Sequence, residues 1–276
     1  MIERIQDARD RRLDYYSKLT DSQLMDYPKG SHCSFIAESR LVTLRALDAG
    51  MRPISLFVED RWFEQSQDLI ERIESIDADI PVFRATHAQM QELTGYQITR
   101  GPLAAFYRPE LPSLSDLLRD AHRVAILEDI TNFTNIGAIF RSAAALGLDS
   151  VLITPGCHDP LYKRASRVSM GTVFQVPWGR IGTEREWAEE AKGILHEHGF
   201  SLAAFALNDD AIDITDSRLK ECEKLAIVLG TEGEGLSDAT IDACDYVVKI
   251  PMEHGVASLN VAAASAVAFW ELRYRC

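Results

Sequence analysis

The chain is short of cysteine, of positive charge and of long apolar runs. Its 276 residues hold five cysteines, Cys33, Cys157, Cys222, Cys244 and Cys276. They are odd in number, widely spaced and contain no CxxC pair. That argues against a zinc or disulfide framework and fits a reducing cytoplasm. Lysine and arginine number 29 against 42 aspartates and glutamates, a formal net charge of -13. A body of that charge repels polyanions in general, so contact with nucleic acid has to rest on a local basic patch. The longest apolar stretch, Leu259 to Trp270, is broken by Asn260 and Ser265 and falls short of the roughly 20 residues that cross a bilayer. Residues 1–19 carry charge throughout and lack the apolar core of a secretory signal. No internal repeat and no low-complexity tract is visible. The expectation is a cytoplasmic protein with no membrane segment and no metal site.

What is present is ordinary for a folded chain: 46% of residues are hydrophobic and 26% charged, enough for a sizeable core. The length suits two domains. Residues 1–30 read as an amphipathic lead-in helix and an irregular stretch, with Ile2, Ile5, Leu13 and Tyr16 on a loose stripe. Residues 31–108 alternate between the two periods. The pattern predicts a helix through Leu41, Leu44, Arg45 and Asp48 ended by Gly50, then a strand at Ile54 to Val58. A helix at Asp68 to Ile76, a strand at Pro81 to Phe83, a helix at His87 to Leu93 and a strand at Leu103 to Tyr107 follow. This is the pattern of a small α/β layer domain. Pro109 and Pro112 mark a boundary, so residues 109–121 form a linker with one helical turn near Leu114.

Residues 122–276 make a second α/β domain. Strands are expected at Val124 to Leu127, Val151 to Ile153, Val173 to Val176, Ser201 to Ala206, Leu225 to Leu229 and Tyr246 to Ile250. Helices are expected from Ile136 or Gly137 to Leu146, at Lys163 to Val168, at Glu184 to His198, and from Ser258 onwards. Ligands in open α/β sheets sit beyond the carboxyl ends of the strands, which directs attention to the turns after Leu229 and Ile250.

Four constellations carry chemistry. In Asn135-Ile136-Gly137-Ala138-Ile139-Phe140-Arg141, Arg141 stands off the apolar face, with only small residues three and four positions away. Asn135 is either a helix N-cap or a group for a ligand, and Arg141 either a surface ion pair or a ligand cation. Gly230-Thr231-Glu232-Gly233-Glu234-Gly235 is either a tight loop before a helix capped by Ser237 or a turn that meets a ligand with its backbone. Its spacing is not that of a dinucleotide fingerprint, and it lacks the GK[ST] of a P-loop. Ile250-Pro251-Met252 precedes Ser258-Leu259-Asn260. Ser258 is a candidate cap, and Asn260 reads as a buried amide in need of partners. Lys163, Arg164, Arg167 and Arg180 form a modest basic cluster, either a solvated face or a phosphate contact.

The first three constellations together resemble the motifs of the SpoU family of RNA ribose 2′-O-methyltransferases, within the SPOUT superfamily. The order and content agree over residues 124–272: Asn135, Gly137 and Arg141; Gly230, Glu232, Gly233 and Gly235; Ile250-Pro251-Met252 with Ser258-Leu259-Asn260. Residues 31–108 are similar to the small substrate-binding domain that often precedes such a catalytic domain, with Glu38-Ser39 where the family usually has Glu-Gly.

The resemblance implies an α/β domain whose C-terminal segment threads a loop to give a deep trefoil knot. It implies a homodimer with the knot helices at the interface, and S-adenosylmethionine as methyl donor. The implied donor site is Leu229, Gly230, Thr231, Gly235, Ile250, Met252, Ser258 and Leu259, with main-chain groups of Gly230, Ile250 and Leu259 on the adenosine. The implied reacting end is Arg141, Asn135, Glu232, Ser258 and Asn260. Asn135 would position the ribose, Glu232 would orient Arg141 or the loop, and Ser258 and Asn260 would anchor the knot and the target nucleotide. Arg141 corresponds to the family's essential arginine and a proposed base. Arginine side chains stay charged in proteins, which points instead to binding the target phosphate or acidifying the hydroxyl by its charge. RNA contact is expected at Arg141, Lys163, Arg164 and Arg167, with Arg100 and Arg180 nearby. Ribosomal RNA is the favoured target and transfer RNA the alternative. A non-catalytic RNA-binding assembly protein of the same fold is the rival reading, and the retained polar residues speak against it.

Overall fold

A computed structural model of the chain describes residues 2–7, 10–17, 19–25, 34–95, 101–183, 187–208, 210–231 and 233–274. The chain divides into two compact units, Met1–Glu110 with Leu161–Phe174, and Leu111–Pro160 with Gln175–Cys276. The expected second domain is therefore not one continuous stretch. The segment Leu161–Phe174 leaves it and joins the first unit. The linker is not a bare connector either. Leu117 and Leu118 of the Leu114–Leu118 helix are buried in the core of the second unit.

The first unit holds a five-stranded mixed sheet in the order β1-β4-β3-β5-β2. Its strands are β1 (Ile2–Arg4), β2 (Ser34–Glu38), β3 (Pro53–Glu59), β4 (Val82–Ala85) and β5 (Leu103–Tyr107). Helices Arg40–Asp48, Gln67–Ile76 and His87–Thr94 connect them. The lead-in is not the expected helix. Its described residues are a short edge strand, β1, paired with β4, followed by separate single turns. Asp10 and Thr20 each accept main-chain N–H groups and so restart the chain at a new cap. Strand β2 has too short an apolar run for its period to show in the sequence. Its five residues are nonetheless all buried, and helix Lys163–Val168 packs against this edge strand.

The second unit is a seven-stranded parallel sheet in the order β10-β12-β9-β11-β6-β7-β8. The strands are β6 (Arg123–Leu127), β7 (Ser150–Ile153), β8 (Trp178–Arg180), β9 (Phe200–Phe205), β10 (Ile212–Asp213), β11 (Lys224–Leu229) and β12 (Tyr246–Lys249). The unbroken apolar runs of β6 and β11 suit parallel strands covered on both faces. The expected strand at Val173 to Val176 is instead a 3-10 turn, Thr172–Phe174. Pro177 cannot donate to a ladder, and β8 begins directly after it. The main helices are Phe133–Leu146, Trp187–Glu197, Asp238–Ala243 and Val261–Glu271. Gly147 closes the first at φ 75°, and Ser237 caps the third, both as the sequence leads one to expect. The last helix packs on Phe133–Leu146.

One buried cation fastens the end of the last helix. Arg123, at the start of β6, donates from Nε to the Leu272 carbonyl at 2.6 Å. Its Nη1 donates to the carbonyls of His122 and Glu223, and Nη2 to that of Cys222. A buried acceptor stripped of its donor keeps its desolvation cost. Replacing Arg123 by Met should therefore lower the stability of the second unit by about 3 kcal/mol, read from chemical denaturation. An unchanged midpoint would show that the clamp contributes nothing.

Candidate functional site

The site grows from the carboxyl end of β11. Leu225 to Leu229 are fully covered apolar residues, and the strand stops at Gly230. The turn that follows is pinched shut. Thr231 and Gly235 form an isolated bridge, with Gly235 N–H donating to the Thr231 carbonyl at 3.2 Å. A Cβ on Gly230 would lie 2.4 Å from the carbonyl carbon of Gly235, so only glycine fits at this neck. Gly233 and Gly235 take φ of 95° and 73°, the left-handed region open to glycine at little cost. Glu232 lies outside the described residues.

Two further turns meet this loop. Ile250 and Met252 follow β12, and Ser258 and Leu259 precede the last helix. Together the three turns line one cavity of about 610 Å³, within the range of pockets for small organic ligands. Leu229, Gly230, Thr231 and Gly235 come from the first turn, Ile250 and Met252 from the second, and Ser258, Leu259 and Asn260 from the third. Every residue expected at a donor site thus reaches the same cavity. The sequence reading missed the contribution of β9, whose carboxyl end supplies Phe205, Ala206 and Leu207. It also missed the charged groups Asp238 and Lys249, which line the cavity beside Glu234 of the glycine turn. The β9 residues carry no local signal. They reach the cavity because β9 lies between β11 and β12 in the sheet.

The polar residues at the reacting end sort differently from expectation. Asn132, not Asn135, caps the Phe133–Leu146 helix, accepting from the N–H groups of Thr134 and Asn135. The helix therefore starts three or four residues earlier than the apolar pattern indicates. Asn135, only 5% exposed, is released from capping. Its Oδ1 accepts from Asn260 Nδ2 at 3.2 Å. Asn260 is not a buried amide inside the last helix. It is exposed and is itself the cap, its Oδ1 accepting from Ala262 N–H at 2.9 Å. Ser258 is consequently not the cap, because the helix begins at Val261. The Asn135–Asn260 bond ties the first motif to the third across 125 residues of chain.

Arg141 is exposed, and among the described residues no carboxylate lies within ion-pair distance of it. The surface ion-pair reading therefore lacks a partner there. Arg141 does not line the cavity. The expected basic cluster is divided between the two units, with Arg180 in the second. Helix Lys163–Val168 belongs to the first unit. Arg167 Nη1 is held at 3.0 Å by the buried carboxylate of Glu38, and Arg180 Nη2 at 3.3 Å by buried Asp159. Lys163 uses its main-chain N–H on Asp21, and Arg164 is exposed. Arg100 lies outside the described residues.

Burial pushes the Cys244 thiol up to about 12 and raises that of Cys157, so neither is a thiolate near neutral pH. Among the described residues no group of three His, Cys, Asp or Glu side chains could hold a metal, and no helix is long and apolar enough to cross a membrane. The cap assignments make a direct prediction. Asn132→Ala and Asn260→Ala should each cost about 1 kcal/mol, while Asn135→Ala should cost clearly less. Urea titrations of the three variants check this, and a larger loss for Asn135 than for Asn132 would overturn the assignment.

With the geometry in place, the chain can be compared with known proteins. The sequence pattern of the SpoU rRNA Methylase family matches residues 122–270. An uncharacterized tRNA/rRNA methyltransferase of Mycobacterium bovis is 36% identical over 272 residues, covering 98% of this chain and 91% of that one. The fold is that of the AdoMet-bound rRNA methyltransferase from Sinorhizobium meliloti, with a TM-score of 0.83 at 20% identity over 99% of this chain and 97% of that one. It is shared by a solved RNA 2′-O ribose methyltransferase, with a TM-score of 0.69 at 24% identity over 98% of each chain. Motif order, matched length and near full-length similarity agree, and the chain belongs to the SpoU rRNA Methylase family.

Proposed function

We propose that this protein is an S-adenosylmethionine-dependent RNA methyltransferase acting on a ribose 2′-hydroxyl. The observation that carries the proposal is the cavity, which gathers Gly230, Ile250 and Leu259 from three separate turns. Its lining fits the donor. Leu229, Ile250 and Leu259 offer apolar surface for an adenine, and main-chain groups beside the glycines offer hydrogen bonds. Glu234, Asp238 and Lys249 offer both signs of charge for a zwitterionic amino-acid tail on a cationic ligand. The M. bovis relative is named for methylation of tRNA or rRNA, and the S. meliloti structure for rRNA methylation with AdoMet bound. Structured ribosomal RNA is the favoured target and transfer RNA the alternative.

S-adenosylmethionine supplies a methyl group that already sits on a good leaving group. The chain's own tasks are alignment and removal of the hydroxyl proton. Asn135, held by Asn260, positions the ribose. Arg141 binds the target phosphate or stabilises the developing alkoxide through its charge. Glu232 orients Arg141 or the glycine loop, and Ser258 and Asn260 anchor the target nucleotide. Exposed Arg164 of the helix Lys163–Val168 meets the RNA backbone, whereas Arg167 is paired with Glu38. The C-terminal segment is proposed to thread as a trefoil knot. A homodimer through the last helix fits its exposed Val267 and Trp270, 39% and 56% exposed, with Tyr274 beyond its end 41% exposed.

The test uses radiolabelled donor, total cellular RNA, and the wild type beside Arg141→Ala. Transfer should fall at least about 100-fold in the variant, the usual scale for losing a group that acts on developing charge. Donor affinity by calorimetry should stay within about twofold, since Arg141 lies outside the cavity. Full transfer by the variant would remove Arg141 from the mechanism. Absence of transfer by the wild type to any RNA fraction would contradict the function.

A further inference from the structure

The glycine loop of the cavity has its two ends held by one residue, Glu128. This residue directly follows β6 and is only 5% exposed. Its main-chain N–H donates to the carbonyl of Leu229 at 2.9 Å, where β11 runs into the loop. Its carboxylate Oε1 accepts from Ser237 N–H at 2.8 Å, where the loop leaves for helix Asp238–Ala243. The other oxygen, Oε2, accepts from the Trp187 indole at 2.6 Å and from the Thr240 hydroxyl. An indole and a main-chain amide can only donate, so both carboxylate oxygens must accept. Between these two points lie Gly230 to Leu236, which include Thr231, Gly233, Glu234 and Gly235 of the cavity wall.

We infer that Glu128 is a positioning residue for methyl-donor binding: it clasps both ends of the glycine loop and so fixes the loop in the shape that meets the donor. The inference rests on the proposed function. Glu128 does not line the cavity. A surface loop with one free end samples many shapes, and ordering it on binding subtracts from affinity. A clasp made in advance removes that cost. Glutamine has the size of glutamate but replaces one acceptor oxygen with an NH2 group. It leaves either Ser237 N–H or the Trp187 indole and Thr240 without an acceptor.

The experiment measures S-adenosylmethionine affinity by calorimetry, and KM and kcat with labelled donor, on the full chain. Glu128→Gln should weaken donor affinity and raise the donor KM at least about tenfold, with kcat at saturating donor within about twofold of wild type. Thr240→Val should weaken affinity in the same direction, and Thr240→Ser, which keeps the hydroxyl, should restore it. Leu118→Ala opens a hole in the same core away from the loop. At a temperature where it is folded it should bind the donor as wild type does. Should Glu128→Gln fail to fold, the Thr240 pair and Leu118→Ala carry the test. Wild-type affinity in Thr240→Val, or an equal loss in Leu118→Ala, would reduce Glu128 to a general structural group and overturn the inference. A wild type that binds no donor would instead overturn the function on which it rests.

Discussion

The close approach of Gly230 to Gly235 is the constraint from which the site follows. With 2.4 Å between a Cβ at Gly230 and the Gly235 carbonyl carbon, the chain can turn there only without a side chain. The pinch lets β11 end abruptly in the middle of the sheet, between β9 and β6. It leaves the loop's backbone facing the turns after β12 and before the last helix. The cavity between these turns is lined by glycines and apolar residues together with Glu234, Asp238 and Lys249.

The proposed reacting end obeys a different logic. There the side chains matter, and they come from motifs far apart in the chain. Two asparagines, Asn132 and Asn260, each spend an oxygen on capping a helix. That frees Asn135, and the Asn135–Asn260 bond fixes the amino-terminal ends of two packed helices to one another. Arg141 stands beside small residues on the outer surface of the same helix. The protein is acidic, and several of its arginines are already paired with carboxylates. Arg141, exposed and without a carboxylate in ion-pair distance among the described residues, is therefore a marked local feature on an otherwise acidic chain.

Much of this was legible in the sequence. Continuous apolar runs located β6, β7, β9, β11 and β12, since buried parallel strands need no alternation. Gly147 and Ser237 marked helix ends through their own local chemistry. The second and third motifs named residues that do share one cavity, whereas those of the first do not line it. What could not be read depended on tertiary neighbours. The first 25 residues look amphipathic, but local caps at Asp10 and Thr20 break the helix that periodicity suggests. Nothing in Lys163 to Val168 announces that it covers β2, or that Arg167 is committed to Glu38. The part played by β9 is a matter of strand order. Glu128 resembles any loop carboxylate until its three donors are seen together.

The central claim is that the pinched loop after β11 is the methyl-donor site. Titration of S-adenosylmethionine into the wild type and into Gly230→Ala tests it most directly, with folding of both verified by circular dichroism. The account predicts saturable one-site binding to the wild type and no measurable binding to the folded variant, because the added methyl must force Gly230 and Gly235 apart. Equal affinity in the two proteins would contradict it.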